Sequence, residues 1–167
     1  MKKSTMFLKK SNRRVIREKV LQILYAYEYN QGNLEELISG ITLELTSEID
    51  RKFADSLVRK VIIHKDKYDK EITLKVDNWE LNRIAIIDRI LIRMGLCELE
   101  AFPDIPPKVT INEVIEIAKE FSTASSGKFV NGILDSFLSD LKESGKLNKV
   151  GRGLLDNSIQ KLTEDDD

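Results

Sequence analysis

The chain has 167 residues, enough for one domain, or for two small helical sub-bundles that share a core. Hydrophobic residues make up 41% and charged residues 33%, a mix suited to a helical protein with solvated outer faces, and the apolar runs are too short to cross a bilayer. The single cysteine, Cys97, excludes an internal disulfide and, with His64 alone to help it, argues against a zinc site.

The net charge of −1 hides an asymmetry. Residues 1–19 carry eight Lys or Arg (Lys2, Lys3, Lys9, Lys10, Arg13, Arg14, Arg17 and Lys19) against Glu18, and the last fourteen residues carry five acids against Lys161. A basic arm on a balanced domain reads as a contact for nucleic acid or an acidic surface, or as a solvated tail. The N-terminus has no apolar run followed by a small-residue cleavage site, which predicts a cytoplasmic protein.

After an arm over 1–11, Ser11 or Asn12 can cap a helix to about Asn30, with Gln31-Gly32-Asn33 ending it. Ile16, Val20, Ile23, Leu24 and Tyr27 form its predicted buried stripe. At about 100° per residue, Lys10, Arg13, Arg14 and Arg17 cluster beside that stripe, and Tyr25 returns to within about 20° of Arg14. Guanidinium groups beside an aromatic ring suit single-stranded RNA, where phosphates and unstacked bases are bound together. Tyr25 fits the edge of the core equally well.

Leu34, Leu37, Ile38, Ile41 and Leu45 mark a second, shorter helix, weakened by Gly40. A third, long helix is predicted from near Asp50 to about Val76 through Phe53, Leu57, Val61, Tyr68 and Ile72, with His64 as a packed or surface histidine. Asp77 and Asn78 break the pattern and Trp79 reads as a core plug. The most hydrophobic helix then runs from about Glu80 to Glu100. Its charges, Asp88, Arg89, Arg93 and Glu98, either pair internally, the better reading, or present a partner surface.

Pro103, Pro106 and Pro107 stop that helix and give a stiff link into a helical hairpin over 108–135. Lys128, Phe129 and Asn131 lie in the first turns of its second helix, where free N–H groups and the positive dipole end favour an anion. The segment SSGK at 125–128 is not a P-loop, because Ser122 stands where its first glycine belongs and Phe129 follows the lysine. Ser125 or Ser126 as an N-cap explains it, and Glu113 with Glu116 reads as a solvated face. No polar cluster offers catalytic chemistry, so a non-enzyme is predicted. The pattern throughout is all-α, with about seven helices in a single domain over 12–144 and a loosely held acidic extension over 145–167.

Four segments in this order resemble the NusB family of bacterial transcription antitermination factors: RRVIREKVLQILYAYE at 13–28, DRILIRMGLCEL at 88–99, IPPKVTINEVIEIAKEF at 105–121 and KFVNGILD at 128–135. The resemblance implies two helical sub-bundles packed roughly crosswise, no enzyme activity and no cofactor. It implies binding to single-stranded boxA RNA of ribosomal RNA transcripts together with NusE, the free form of a small-subunit ribosomal protein, within an RNA polymerase antitermination complex. Both monomers and homodimers occur in such a family. By motif, the RNA surface falls on Arg13, Arg14, Arg17 and Tyr25 and on Lys128, Phe129 and Asn131, and the protein partner on Asp88, Arg93 and Glu98. Where the family commonly has an acid, this chain has Ser125, which removes a negative charge beside the phosphate site. A helical protein-binding adaptor without RNA specificity is the alternative.

Overall fold

The computed structural model describes residues 12–76 and 81–155, and in them seven α-helices and no strand. The helices are α1 (Asn12–Asn30), α2 (Leu34–Thr42), α3 (Glu48–Ile63), α4 (Lys65–Lys75), α5 (Ile86–Ala101), α6 (Pro107–Phe121) and α7 (Ala124–Glu143). Side-chain oxygens set two of the early starts: Asn33 Oδ1 accepts from the Glu35 N–H at 3.1 Å and Ser47 Oγ from the Asp50 N–H at 3.4 Å. Pro107, with its fixed φ and no N–H to leave unmet, opens α6. The arm over 1–11, Trp79 and the acidic end over 156–167 lie outside the described residues.

Helices α1 to α3 pack together as one sub-bundle and α5 to α7 as another, with α1 and α3 laid on α5 and α4 reaching from α3 to α5 and α7. The centre is α5, on which every residue from Ile90 to Leu99 is buried. At about 2 kcal/mol for each fully buried Leu, Ile or Met side chain, this helix is the main hydrophobic anchor of the fold. Gly95 lets α7 close on it, since a Cβ there would stand 2.7 Å from Leu134 Cδ2.

The long third helix predicted from Asp50 to Val76 is two helices, broken at His64 with φ −100° and ψ 12°. The break follows from packing. Helix α3 turns Phe53, Leu57 and Val61 toward α1 and α5, whereas Tyr68 and Ile72 of α4 serve α5 and α7, and one straight stripe cannot meet both sets. His64 itself is exposed, with its ring 5.9 Å from that of Tyr68.

The extension after Gly145 also differs from its expectation as far as Leu155. The Lys149 ammonium is buried and donates to the carbonyls of Glu98 and Phe102 at 3.1 and 2.8 Å, adding a charged donor to carbonyls that also accept the Phe102 and Ile105 N–H groups at the end of α5. The Val150 N–H donates to Pro103 O at 3.0 Å, and Gly153 sits so close that a Cβ would lie 1.9 Å from the same oxygen. Residues 146–155 form a strap over the corner between α5 and α6.

Candidate nucleic-acid interface

Arginines at the start of α1 take three different environments within two turns. Arg13 reaches toward α3, its guanidinium carbon 4.1 Å from the Phe53 ring centroid and its Nε 3.8 Å from Asp50 Oδ1. Arg14 reaches the other way, to α6, where Nε and Nη2 fork onto the two oxygens of Glu113 at 2.8 and 3.0 Å. The hydrogen bonds and charge of Glu113 outweigh the cost of burial and raise the pKa of that guanidinium above its ordinary value. Glu113, read from the sequence as part of a solvated face, is instead half-buried beneath this pair.

Arg17 departs from the cluster assigned to it. It is 1% exposed, with Nε and Nη2 forked onto Glu98 at 2.9 and 2.6 Å, and it has no open path to a phosphate. The reason lies one turn on: Leu21 is also buried, so the apolar arc of α1 extends past Arg17 and encloses it. Burial works against its charge, but Glu98 more than offsets that and its pKa stands above the usual arginine value.

The three expected partner-facing positions on α5 are likewise interior, because the helix is covered by both sub-bundles. Glu98 is fully buried and also accepts from the Thr110 hydroxyl at 3.2 Å. Arg93 is 2% exposed and forks onto Asp69 of α4 at 2.6 and 2.9 Å, with Glu28 of α1 at 3.5 Å. Asp88 is buried and its Oδ2 accepts from Ser126 Oγ at 2.9 Å. Arg93 and Glu98 thus form internal ion pairs, the first of the two sequence readings, whereas Asp88 meets the neutral Ser126 hydroxyl and its Oδ1 is buried without a hydrogen-bond partner.

At the start of α7 the N-cap is Thr123 rather than Ser125 or Ser126. Thr123 Oγ1 accepts from the Ser126 N–H and Ser126 Oγ from the Thr123 N–H, each at 3.3 Å, which closes a capping box. Lys128 and Asn131 then line a shallow groove against α6 with Asn112, Ile115, Glu116 and Lys119. Phe129 points about 100° away and lines a separate recess with Arg83, Ile84, Ala85 and Ser125, so the three α7 positions do not share one face. Tyr25 is exposed and stacks obliquely on Tyr29 at 4.9 Å between centroids.

Helix α6 therefore lies between the two predicted basic elements: its Glu113 holds Arg14 of α1, and the neighbouring Asn112 and Glu116 border the groove that carries Lys128 and Asn131 of α7. The sequence reading missed Asn112 and Lys119, whose signal is their spacing of two helical turns on the polar face of α6, and Tyr29, one turn beyond Tyr25. The family model described as the NusB family matches residues 14–139. The chain belongs to the NusB family. The transcription antitermination protein NusB of Salinibacter ruber is 45% identical over 147 residues, 87% of this chain and 92% of that protein. NusB of Chloroherpeton thalassium is also 45% identical, over 90% of this chain and 72% of that protein. Among solved structures, T. maritima NusB is 35% identical with a TM-score of 0.73 and covers 79% of this chain and 94% of its own. A structure of antitermination factors NusB and NusE in complex with dsRNA, 22% identical over 77% of this chain and 96% of its own, agrees in fold with a TM-score of 0.69.

Proposed function

We propose that the chain is an RNA-binding transcription antitermination factor that acts in the cytoplasm. It binds the boxA element of ribosomal RNA transcripts as a single strand, together with NusE, and joins an RNA polymerase complex that supports processive transcription of ribosomal RNA. The observation that carries this reading is the placement of α6, flanked by Arg14 at one side, with Arg13 next to it on α1, and by Lys128 and Asn131 at the other. In the proposed site Arg13, Arg14, Lys119 and Lys128 meet phosphates, Asn131 lines the groove beside Lys128, Tyr25 offers a ring face to an unstacked base, and Phe129 offers another from its separate recess. Glu113 preorders Arg14 and gives up part of that pair to the strand. Arg17, Arg93 and Glu98 hold the scaffold, so a NusE surface falls on exposed neighbours of α5.

Each phosphate neutralised on a single strand contributes roughly −0.7 to the log–log salt slope, so four cations give a slope near about −3. Anisotropy titration of labelled boxA-type and scrambled RNA, with and without NusE, tests the reading. Preference for boxA that grows with NusE is expected. Equal binding of both RNAs, or NusE binding without any RNA preference, would leave the protein adaptor instead.

A further inference from the structure

Arg17 lies in the arginine-rich motif, yet its surroundings give it different work. Its guanidinium faces one ring and one carboxylate: Phe53 at 5.4 Å and Glu98, which it bonds through Nε and Nη2. Both partners lead to the two arginines that precede it in sequence. The Phe53 ring that Arg17 approaches also carries Arg13, at 4.1 Å. The Glu98 carboxylate also takes the Thr110 hydroxyl, and Thr110 stands three residues before Glu113, the residue that holds Arg14. Glu98 is itself fixed from behind, since its backbone carbonyl accepts from Lys149.

We propose that the buried Arg17–Glu98 pair is a positioning device for the RNA surface, setting the register of α1 against α5 and α6 so that Arg13 and Arg14 present to phosphates, without touching RNA. The purpose of the device rests on the RNA reading above; its geometry does not. A forked pair inside an apolar seam suits this task better than leucine would. Apolar groups tolerate small slides of one helix along another, whereas two parallel N–H to oxygen bonds fix rotation and translation together. The seam also joins the two sub-bundles, so a shift of α1 along it would change where both surface arginines stand relative to α6 and α7.

Two variants and two readouts test this. Glu98→Gln leaves the Arg17 charge buried beside a neutral amide, whereas Arg17→Met with Glu98→Leu replaces the pair by apolar packing. Hydrogen exchange over residues 17–21 reports the seating of α1 with no RNA present, and anisotropy against a single-stranded boxA-type RNA at several salt concentrations reports the surface. In Glu98→Gln we expect exchange over 17–21 to speed up and RNA affinity to fall about tenfold or more. The paired variant should fold but, without the fork, keep exchange over 17–21 faster than the parent and RNA affinity several-fold below it at the parental salt slope; parental exchange and affinity in it would show that apolar packing seats α1 equally well and overturn the proposal. A paired variant with parental exchange whose slope has flattened by about 0.7 would show that Arg17 meets a phosphate and overturn the proposal. Parental exchange and affinity in Glu98→Gln would overturn it too. If neither variant folds, Arg17→Lys replaces them: the charge is kept and the fork lost, so weaker binding at an unaltered slope supports positioning and parental binding refutes it. A parent protein that binds no RNA would remove the RNA reading, while the exchange result in Glu98→Gln still decides whether the pair seats α1.

Discussion

The seam where α1 and α4 meet α5 and the rim that α1 and α7 present on either side of α6 use the same chemistry under different solvent access. In the seam, Arg17 and Arg93 are 1% and 2% exposed and each forks onto one carboxylate, Glu98 or Asp69. On the rim, Arg13 keeps a side chain 40% exposed with Asp50 no closer than 3.8 Å, and Lys128 lines an open groove. A buried charge stripped of its partner has no water to turn to, whereas a rim charge has water and counterions at hand. The same arginine is thus a fastener in one place and an adjustable contact in the other.

The sharpest way to break this comparison is Asp69→Ala. It leaves the buried Arg93 with Glu28 at 3.5 Å, and urea unfolding should show a loss of about 3 kcal/mol. A loss below about 1 kcal/mol would mean that the seam behaves like a surface. Next in size, Thr123→Ala removes one half of the capping box at the start of α7 and should cost about 1 kcal/mol in thermal unfolding. Lys128 and Asn131 follow directly on that turn, so RNA affinity should fall with it. Arg14→Ala should cost less than about 1 kcal/mol in stability, yet flatten the salt slope of RNA binding by about 0.7, the reverse of the Asp69 pattern.

The smallest effect concerns Glu71, half-buried on α4 with Oε2 lacking a hydrogen-bond partner. Burial first, and the charge of Glu100 second, raise its carboxyl above the ordinary value, so the folded protein holds that proton more tightly than the unfolded chain does. Its favourable share is complete below the unfolded pKa and is lost as pH rises through the folded one. Glu71→Gln should therefore raise the urea midpoint at pH 7 and leave it unchanged near about pH 3. A gain of equal size at both pH values would assign the effect to something other than titration.

Much of the fold was legible because helical periodicity survives wherever one stripe meets one neighbour. Helix α1 ends at Asn30 as its Gln31-Gly32-Asn33 stop signal implied, and α5, the most hydrophobic segment despite its interspersed charges, is the buried central helix. What escaped was tertiary. The break at His64 is marked by neither Gly nor Pro and arises because α3 and α4 serve different neighbours. Arg17 looked like Arg14 because a wheel gives angles and not the width of the buried arc, which Leu21 decides. The partner of Arg14 lies 99 residues away, a separation that local pattern cannot bridge. The strap over 146–155 was hidden for the same reason: Lys149 reads as a surface charge until the carbonyls at the end of α5 are beside it.

Cys97 lies fully buried on α5, and it is the one thiol in the sequence. Burial pushes its pKa up to about 12, so at pH 8 very little of it is the thiolate that an alkylating reagent needs. The protein consequently carries a native stopwatch: with a reagent in excess, the pace of modification counts the openings of the central helix, with no label to introduce and no second site to correct for.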